Sequence, residues 1–337
     1  MEAKTKTHRA LALVAVLAAA GLALAGCANT SSGSSSSGSA TSVALGVEPW
    51  IGYGPWHVAE KKGYFTDNGV KAKITNFDTD SDINAALASG KLQAASVASH
   101  TALKFVESGV DVSIVLVLDA SETADAILSG PGISSIADLK GKQVAYEEGT
   151  TSDLLLNYAL AQNGMSLSDI NRVPMDADAA GTALIAGKVP VAVTYEPYIT
   201  EAKQKDPQIK ALYTASEKEG LISDVLVVRN DFLKSNPKAV TGLAKTWGQA
   251  VDYYKSDTND AQSIIAKAVG SSAADLKTAF EGVKFFSLAD NKEELTGTFK
   301  TSTLPSINKA AISAKLLTKT TDPSKVIDAS FVEKAAK

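Results

Sequence analysis

The stretch VALGVEPWIGYGPWHVAEKKG, residues 43–63, contains the elements that decide the fold. Residues 43–47 are an apolar run typical of a buried strand, and a polar and aromatic loop follows them. Pro55 stands where a first helical turn tolerates proline, and Gly63 stands where helices commonly end. The stretch therefore predicts a strand–loop–helix unit, the repeating unit of α/β domains.

The same alternation continues along the chain. Apolar runs at 70–77, 94–98, 112–118, 136–139, 143–146 and 189–194 are separated by helix-like stretches. Strands that alternate with helices predict an α/β fold rich in parallel strands. After a last strand at 224–228 the pattern is mainly helical, and a helix starting at Asn236 places Trp247 and Tyr254 on a core-facing side.

This order predicts two α/β lobes, the second inserted in the first. We assign residues 43–124 and 223–337 to the first lobe and residues 125–222 to the second. The chain would cross between the lobes near Asp125 and near Ile222-Ser223, and these two crossings would form a hinge.

The only cysteine, Cys27, ends the tetrapeptide LAGC at 24–27. An apolar run precedes it, and a basic start with Lys4, Lys6 and Arg9 precedes that run, which together predict a secretory signal peptide at 1–26. LAGC also resembles the bacterial lipobox, in which the cysteine is lipidated. An ordinary signal peptide with an incidental cysteine is the alternative.

A Ser- and Gly-rich segment follows Cys27 up to residue 42 and predicts a flexible tether at 27–42. If Cys27 carries lipid, the folded domain has no cysteine left for a disulfide or a thiol active site. The formal net charge of -4 and the 21% of charged residues give no indication of nucleic-acid binding.

Four segments of the chain carry a recognisable pattern: GYGP at 52–55 with Ala59 and Gly63, DLKGKQVA at 138–145, AGKVPVA at 186–192 and TYEP at 194–197. In this order they resemble the nitrate/sulfonate/taurine-type substrate-binding proteins of ABC importers, a group that includes the NMT1/THI5-like binders. Pro190 stands where the family usually has Asp. The resemblance covers about residues 43–290.

The resemblance implies a type II periplasmic-binding-protein fold, in which two α/β lobes close on a ligand between them. It implies a solute-binding lipoprotein, held by lipid on the outer face of the cell membrane, that delivers a small molecule to an ABC permease. We expect a monomer with no cofactor, no metal and no enzymatic activity.

Ligands of open α/β sheets bind beyond the carboxyl ends of the strands, where helix N-termini present free N–H groups. Polar and aromatic residues at those positions are our candidate ligand-binding residues. They are Trp50, Tyr53, Ser99, Ser121, Asp125, Glu148, Thr150, Thr151, Tyr195 and Glu196. Thr150 and Thr151 also fit a helix cap, which is compatible with ligand contact. Glu147 is expected to be solvated, and His100 to be a helix-start residue.

The charges near the predicted strand ends favour a nitrogen-bearing ligand. Carboxylates cluster there (Glu48, Asp119, Asp125, Glu148 and Glu196), whereas Arg172 and Arg229 are placed elsewhere. An amine-bearing sulfonate such as taurine, or an aminopyrimidine, would gain carboxylate hydrogen bonds and aromatic contacts. A simple anion such as nitrate or an alkanesulfonate is the alternative ligand.

Two other function classes stay open. A ligand-sensing lipoprotein that reports to a membrane receptor would need the same hinged cleft. An enzyme similar to the thiamine-pyrimidine synthase of fungi is the third possibility, although that synthase depends on histidine and a cysteine-rich motif, and this chain has no phosphate-binding loop, nucleophile elbow or HExxH motif.

Overall fold

The computed structural model of the protein describes residues 40–337. The predicted signal peptide, Cys27 and all but the last residues of the tether lie outside them. No helix among the described residues has the length and apolar character needed to cross a membrane.

Two β-sheets form the two lobes. The strands are β1 (Thr41–Val47), β2 (Val70–Asn76), β3 (Ala94–Ala98), β4 (Val112–Ser121), β5 (Asp125–Ser129), β6 (Gln143–Tyr146), β7 (Asn171–Pro174), β8 (Val191–Tyr195), β9 (Lys210–Thr214), β10 (Ser223–Arg229) and β11 (Val283–Phe285). The first sheet has the order β11-β4-β10-β3-β1-β2, and the second has the order β7-β6-β8-β5-β9. The two-lobed α/β fold predicted from the sequence is therefore confirmed.

Helices cover the sheets. They are α1 (Gly54–Lys62), α2 (Tyr64–Asp67), α3 (Asp80–Ala88), α4 (Ser99–Glu107), α5 (Thr151–Gln162), α6 (Ala177–Ile185), α7 (Tyr198–Lys205), α8 (Asn230–Ser235), α9 (Pro237–Ser256), α10 (Thr258–Ala268), α11 (Leu288–Thr296), α12 (Leu304–Ser313) and α13 (Ser330–Ala335). The helix predicted between Pro55 and Gly63 is α1, and Gly63 ends it with a φ of 81° that favours glycine.

The expectation of a parallel-rich sheet is wrong. β1 pairs in parallel with β2 and β3, and β6 pairs in parallel with β7 and β8. However, β10 is antiparallel to both β3 and β4, and β5 is antiparallel to both β8 and β9. Both sheets are mixed because a strand that enters from the other lobe runs against its neighbours.

Residues 136–139 are also not a strand. Ile136–Leu139 forms one 3-10 turn, and Ser135 and Asp138 cap it reciprocally. Ile136 and Leu139 are buried in the core despite the turn. An apolar pair in a short segment does not distinguish a buried strand from a buried turn.

Two tryptophans pack against each other in the helical layer of the first lobe. Trp56 of α1 and Trp247 of α9 are fully buried, and their ring centroids lie 4.9 Å apart. Each indole N–H finds an acceptor, since Trp56 Nε1 donates to Ser96 Oγ and Trp247 Nε1 to the Phe286 carbonyl, both over 2.9 Å. Trp56 is therefore part of the core and not of a ligand site.

The chain passes between the sheets twice, after β4 and before β10. The two crossings are hydrogen-bonded to each other, because Ser121 N donates to Ile222 O over 3.0 Å and Ser216 N donates to Glu122 O over 2.5 Å. The predicted hinge positions fall at these crossings. Hinge closure itself stays a prediction.

Candidate ligand-binding cleft

A cleft lies where the strand ends of the two sheets face each other. Its space free of protein atoms, including the open mouth, is about 540 Å³. The lining residues are Glu48, Trp50, Tyr53, Asp78, Asp80, Ala98, Asp125, Glu147, Thr150, Thr151, Ser152, Tyr195, Ile222 and Asp224.

The topology explains why these residues meet. Glu48 follows β1, Asp80 follows β2 and Glu147 follows β6, so all three lie beyond the carboxyl ends of parallel strands. Asp125 and Asp224 begin or nearly begin antiparallel strands, which start at the same edge. Residues at the carboxyl ends of some strands and at the amino ends of others therefore line the same cleft.

Trp50 forms an aromatic wall of the cleft, and a buried carboxyl group fixes its orientation. Its indole Nε1 donates to Asp119 Oδ1 over 3.2 Å. Its ring meets the Tyr195 ring of the other lobe edge to face, with the centroids 5.8 Å apart. A Cβ at Gly52 would overlap Trp50 Nε1 and lie 2.5 Å from Asp119 Oδ1, so only glycine allows this close approach.

Three carboxyl groups at one end of the cleft are almost fully buried, two in its lining (Asp125 and Asp224) and one behind its wall (Asp119). Asp119 and Asp224 lie opposite each other on β4 and β10. Burial raises the pKa of Asp119 to about 8, and the charge of Asp125 adds to it. Burial raises the pKa of Asp125 to about 7, while the Ser121 hydroxyl opposes the shift. Burial and the charges of Asp119, Asp125 and Glu48 raise the pKa of Asp224 as well, against a hydrogen bond from Tyr53.

A second group of carboxyls lies further along the cleft. Burial, then the charges of Asp80 and Glu147, raises the pKa of Glu48 well above its usual value. Burial raises the pKa of Glu147 to about 7, with the Asp80 charge adding to the shift. Burial also raises the pKa of Asp80, although the hydroxyl of Thr101 donates to it over 2.8 Å. Both groups therefore resist ionisation unless a cation or a donor joins them.

Within residues 40–337, none of the side chains lining the cleft is Lys, Arg or His. Lys104 is a cation that acts on Asp80, and it lowers the pKa of that carboxyl. Its side chain is exposed, and its Nζ donates to the Gly149 carbonyl of the other lobe over 3.2 Å. In the described part of the chain, no group of three or more His, Cys, Asp or Glu side chains has the arrangement of a metal site.

The N-terminus of α5 also faces the cleft, through Thr150, Thr151 and Ser152. No side chain caps this helix end, because the Thr150 hydroxyl donates to the Glu147 carbonyl instead, over 3.1 Å. Free N–H groups at such an end attract negative charge. The second lobe thus offers N–H and hydroxyl donors beside its carboxyl groups.

The structure brings together part of the predicted site. Trp50, Tyr53, Asp125, Thr150, Thr151 and Tyr195 line the cleft. Ser99, Ser121, Glu148 and Glu196 do not. Ligand contact by the first group stays a prediction.

The expectation that Glu147 is solvated is wrong, and Glu148, predicted to bind ligand, lies outside the cleft lining. Glu148 is exposed and pairs with Arg172 over 3.1 Å, while Glu147 is half-buried and lines the cleft. Glu147 directly follows β6, whereas Glu148 begins the turn that leads to α5, so the two side chains leave the chain on different sides. Arg172 lies within β7, not before it.

Two of the other three residues, Ser99 and Glu196, are hydrogen-bonded locally, whereas the buried Ser121 Oγ has no hydrogen-bond partner within residues 40–337. Ser99 is buried, and its hydroxyl donates to the Ser223 carbonyl over 2.6 Å. Glu196 accepts hydrogen bonds from the backbone N–H and the hydroxyl of Thr200 at the start of α7. The Ser121 hydroxyl lies beside Asp125 and acts on the cleft through that carboxyl group.

Sequence reasoning missed Asp80, Asp224 and Glu147 as cleft residues. Asp80 stands at a helix start, where an acidic residue usually serves the helix itself. Asp224 lies in an apolar run of β10, and an acidic residue inside a buried strand was a signal that could have found it.

Comparisons with known proteins agree with this architecture. Over 254 residues the chain is 26% identical to the taurine-binding periplasmic protein of Escherichia coli K12, covering 72% of this chain and 78% of that protein. Over 223 residues it is 29% identical to the 4-amino-5-hydroxymethyl-2-methylpyrimidine phosphate synthase THI5 of Saccharomyces cerevisiae, covering 60% of this chain and 64% of the synthase. These two similar proteins are a binding protein and an enzyme.

The fold matches that of the periplasmic aliphatic sulphonate binding protein SsuA from Escherichia coli with a TM-score of 0.71 at 18% identity, over 85% of this chain and 92% of that one. The family model described as NMT1/THI5 like matches residues 50–261, which is more than half of the sequence. The matched span includes every residue of the cleft lining except Glu48. The chain therefore belongs to the NMT1/THI5-like family.

Proposed function

We propose that this protein is an extracytoplasmic solute-binding protein that captures a small nitrogen-bearing organic solute and delivers it to an ABC import permease. One observation carries the choice of solute: the cleft is lined by buried carboxyl groups and aromatic rings, with no basic side chain among the described residues that line it. An amine or an aminopyrimidine supplies the missing donors and positive charge.

An amine-bearing sulfonate such as taurine is a second candidate, and one observation favours it. The uncapped N-terminus of α5 could hold a sulfonate through N–H groups and the hydroxyls of Thr150, Thr151 and Ser152. The amine would then face the carboxyls of the first lobe. The similarity to a taurine-binding protein supports this candidate.

A simple anion is disfavoured by the same lining. Nitrate or an alkanesulfonate without an amine would sit among several carboxyl groups, and like charges brought together at a desolvated site oppose binding strongly. The anion would have only the α5 N-terminus and hydroxyls to offset that repulsion.

We also propose that the protein is a binder and not an enzyme. The two histidines of the described residues, His57 and His100, do not line the cleft. His100 is buried in α4, and burial lowers its pKa to about 3, so it stays neutral at physiological pH. Although the chain resembles a synthase, neither of these two histidines is placed for catalysis in this cleft.

Lipid anchoring at Cys27 completes the proposal and rests on the LAGC motif at 24–27. A tether of this composition would hold a monomer near its permease and raise its effective concentration there. Labelling with a radioactive or alkyne-bearing fatty acid should mark the wild-type chain and not Cys27→Ser.

Isothermal titration calorimetry of the full chain tests the solute class. The panel is an alkylamine, an aminopyrimidine, taurine, methanesulfonate and nitrate. We expect heat of binding from nitrogen-bearing solutes and none from methanesulfonate or nitrate. Binding of the two anions, with no response to any amine, would overturn the proposal.

A further inference from the structure

Apart from Asp78, the carboxyls that line the cleft, together with Asp119 behind its wall, form two sets at separate positions along the sheet edges. The Asp224 set consists of Asp119, Asp125 and Asp224, and the Glu48 set consists of Glu48, Asp80 and Glu147. In the first sheet, β10 with Asp224 and β1 leading to Glu48 are separated by β3. Two strand spacings amount to roughly 10 Å.

The second sheet repeats this separation. Asp125 begins β5 and Glu147 follows β6, with β8 between them, which again is roughly 10 Å. Each set contains carboxyls of both lobes. The charge of Asp125 raises the pKa values of Asp119 and Asp224 of the first lobe, and the charge of Glu147 raises that of Glu48. The charge of Glu48 also reaches Asp224, so the two sets repel each other when both are ionised.

The residues between the two sets carry no charge. Ala98 ends β3 and Tyr195 ends β8, the two strands that separate the sets. Tyr195 packs edge to face against Trp50 at this level of the cleft. The cleft therefore alternates acidic, apolar and acidic along its length.

The carboxyls of the Asp224 set are coupled to each other. Asp119 is 1% exposed and lies behind the cleft wall, and a side-chain hydrogen bond joins it to Asp224, which lines the cleft. Two carboxyl groups share a hydrogen bond only when one of them holds a proton. A cation at Asp224 would supply the positive charge that this proton otherwise provides.

We propose that the ligand carries two positively charged nitrogen groups joined by an apolar spacer, as in an α,ω-diamine. This inference rests on the proposed solute-binding function and names the class of solute. One ammonium group faces the Asp224 set and the other faces the Glu48 set, while the methylene spacer lies against Trp50 and Tyr195. Taking hydrogen bonds of about 2.9 Å at each end, the two nitrogens lie roughly 4–10 Å apart, which a spacer of about four or five carbons spans.

A single positive charge would leave one set without a counter-charge. An amino sulfonate that placed its amine at one set would bring its sulfonate toward the carboxyls of the other set, unless the α5 N-terminus diverted it. A diamine satisfies both sets and places no polar group against the apolar middle.

Calorimetry and thermal unfolding of the full chain test this assignment with 1,4-diaminobutane and its matched monoamine, 1-aminobutane. We expect the diamine to bind at least about 100-fold more tightly than the monoamine. Glu147→Gln should reduce diamine affinity about tenfold or more and narrow the gap to the monoamine. Glu148→Gln, with the same chemical change one residue away, should leave both affinities unchanged.

Asp224→Asn tests the other set in the same way. Because Asp224 is buried, the fold of the Asp224→Asn variant is checked by comparing its far-ultraviolet circular dichroism with that of the wild type. If this variant does not fold, Glu147→Gln at the half-buried Glu147 still decides the test. Equal affinity for the diamine and the monoamine overturns the two-cation assignment and leaves the proposed function intact. Failure of every amine and aminopyrimidine to bind, with a response to anions, overturns both.

Discussion

The indole Nε1 of Trp50 donates a hydrogen bond to Oδ1 of Asp119 over 3.2 Å, so a carboxyl group buried behind the cleft wall orients the ring that forms the wall. Asp119 in turn lies opposite Asp224 on the neighbouring strand, and Asp224 reaches the cleft. A change in the charge of Asp119 or Asp224 should therefore alter the orientation of the Trp50 ring, which faces the ligand site.

Gly52→Ala should weaken ligand binding by displacing Trp50. The added Cβ would overlap Trp50 Nε1 and crowd Asp119 Oδ1, so the indole must rotate away from its acceptor. We expect affinity for the ligand to fall about tenfold, equivalent to about 1.4 kcal/mol, by calorimetry. Gly130→Ala is the control, since its Cβ would lie 3.8 Å from the nearest atom. Equal effects of the two substitutions would contradict this role of Gly52.

Trp50 should report ligand binding through its fluorescence. The other two tryptophans, Trp56 and Trp247, are fully buried in the core, whereas Trp50 lines the cleft. A ligand that enters the cleft should change the emission of the wild-type chain. The change should be absent in Trp50→Phe and present in Trp56→Phe, and a response that survives in Trp50→Phe would place the ligand elsewhere.

The stability of the empty protein should fall as the pH rises from about 5 to 8. Burial raises the pKa values of Asp125 and Glu147 to about 7 and of Asp119 to about 8, above those of the unfolded chain. The folded state thus holds protons that the unfolded state has lost, and each such group contributes a loss of up to about 1.4 kcal/mol per pH unit in this window.

Urea unfolding at several pH values measures this dependence. Asp125→Asn removes one of the groups, so the loss of stability between pH 5 and 8 should be smaller in that variant. A cationic ligand at saturating concentration should add more stability at pH 8 than at pH 5, because it binds the ionised carboxyls. A stability that rises steadily with pH in the empty wild-type protein would refute the assignment.

Trp247→Ala should destabilise the protein without changing the cleft. The indole is fully buried against Trp56 and donates to the Phe286 carbonyl, so its removal leaves a cavity and leaves that carbonyl only the longer hydrogen bond from Asn291 Nδ2. We expect the free energy of unfolding to fall by about 3–5 kcal/mol. Ligand affinity of the folded fraction should stay within about twofold of the wild type, and a large loss of affinity would link the core to the cleft.

The sequence predicted the fold better than the site. Strand and helix periodicity located β1, α1, β3 and β10 within a few residues, because these elements bury one continuous apolar face. It did not predict the direction of β10 or β5. Pairing direction depends on how the chain returns between the lobes, and the local pattern of apolar residues does not contain that information.

For the site, strand ends located Trp50, Asp125 and Tyr195 correctly in the cleft lining. The exchange of Glu147 and Glu148 shows the limit of that reasoning, because one position of backbone decides whether a carboxyl group faces the cleft or solvent. Asp224 reaches the cleft only because β10 enters the sheet antiparallel, so it could not be assigned before the topology was known.

A crystal structure of the full chain with a bound nitrogen-bearing solute tests the central claim most directly. We predict the ligand nitrogen in the cleft, about 2.7–3.2 Å from a carboxyl oxygen of Asp224, Glu48 or Glu147, with its carbon atoms against Trp50 and Tyr195. A ligand bound outside the cleft, or an anionic group placed against these carboxyls, would contradict the account.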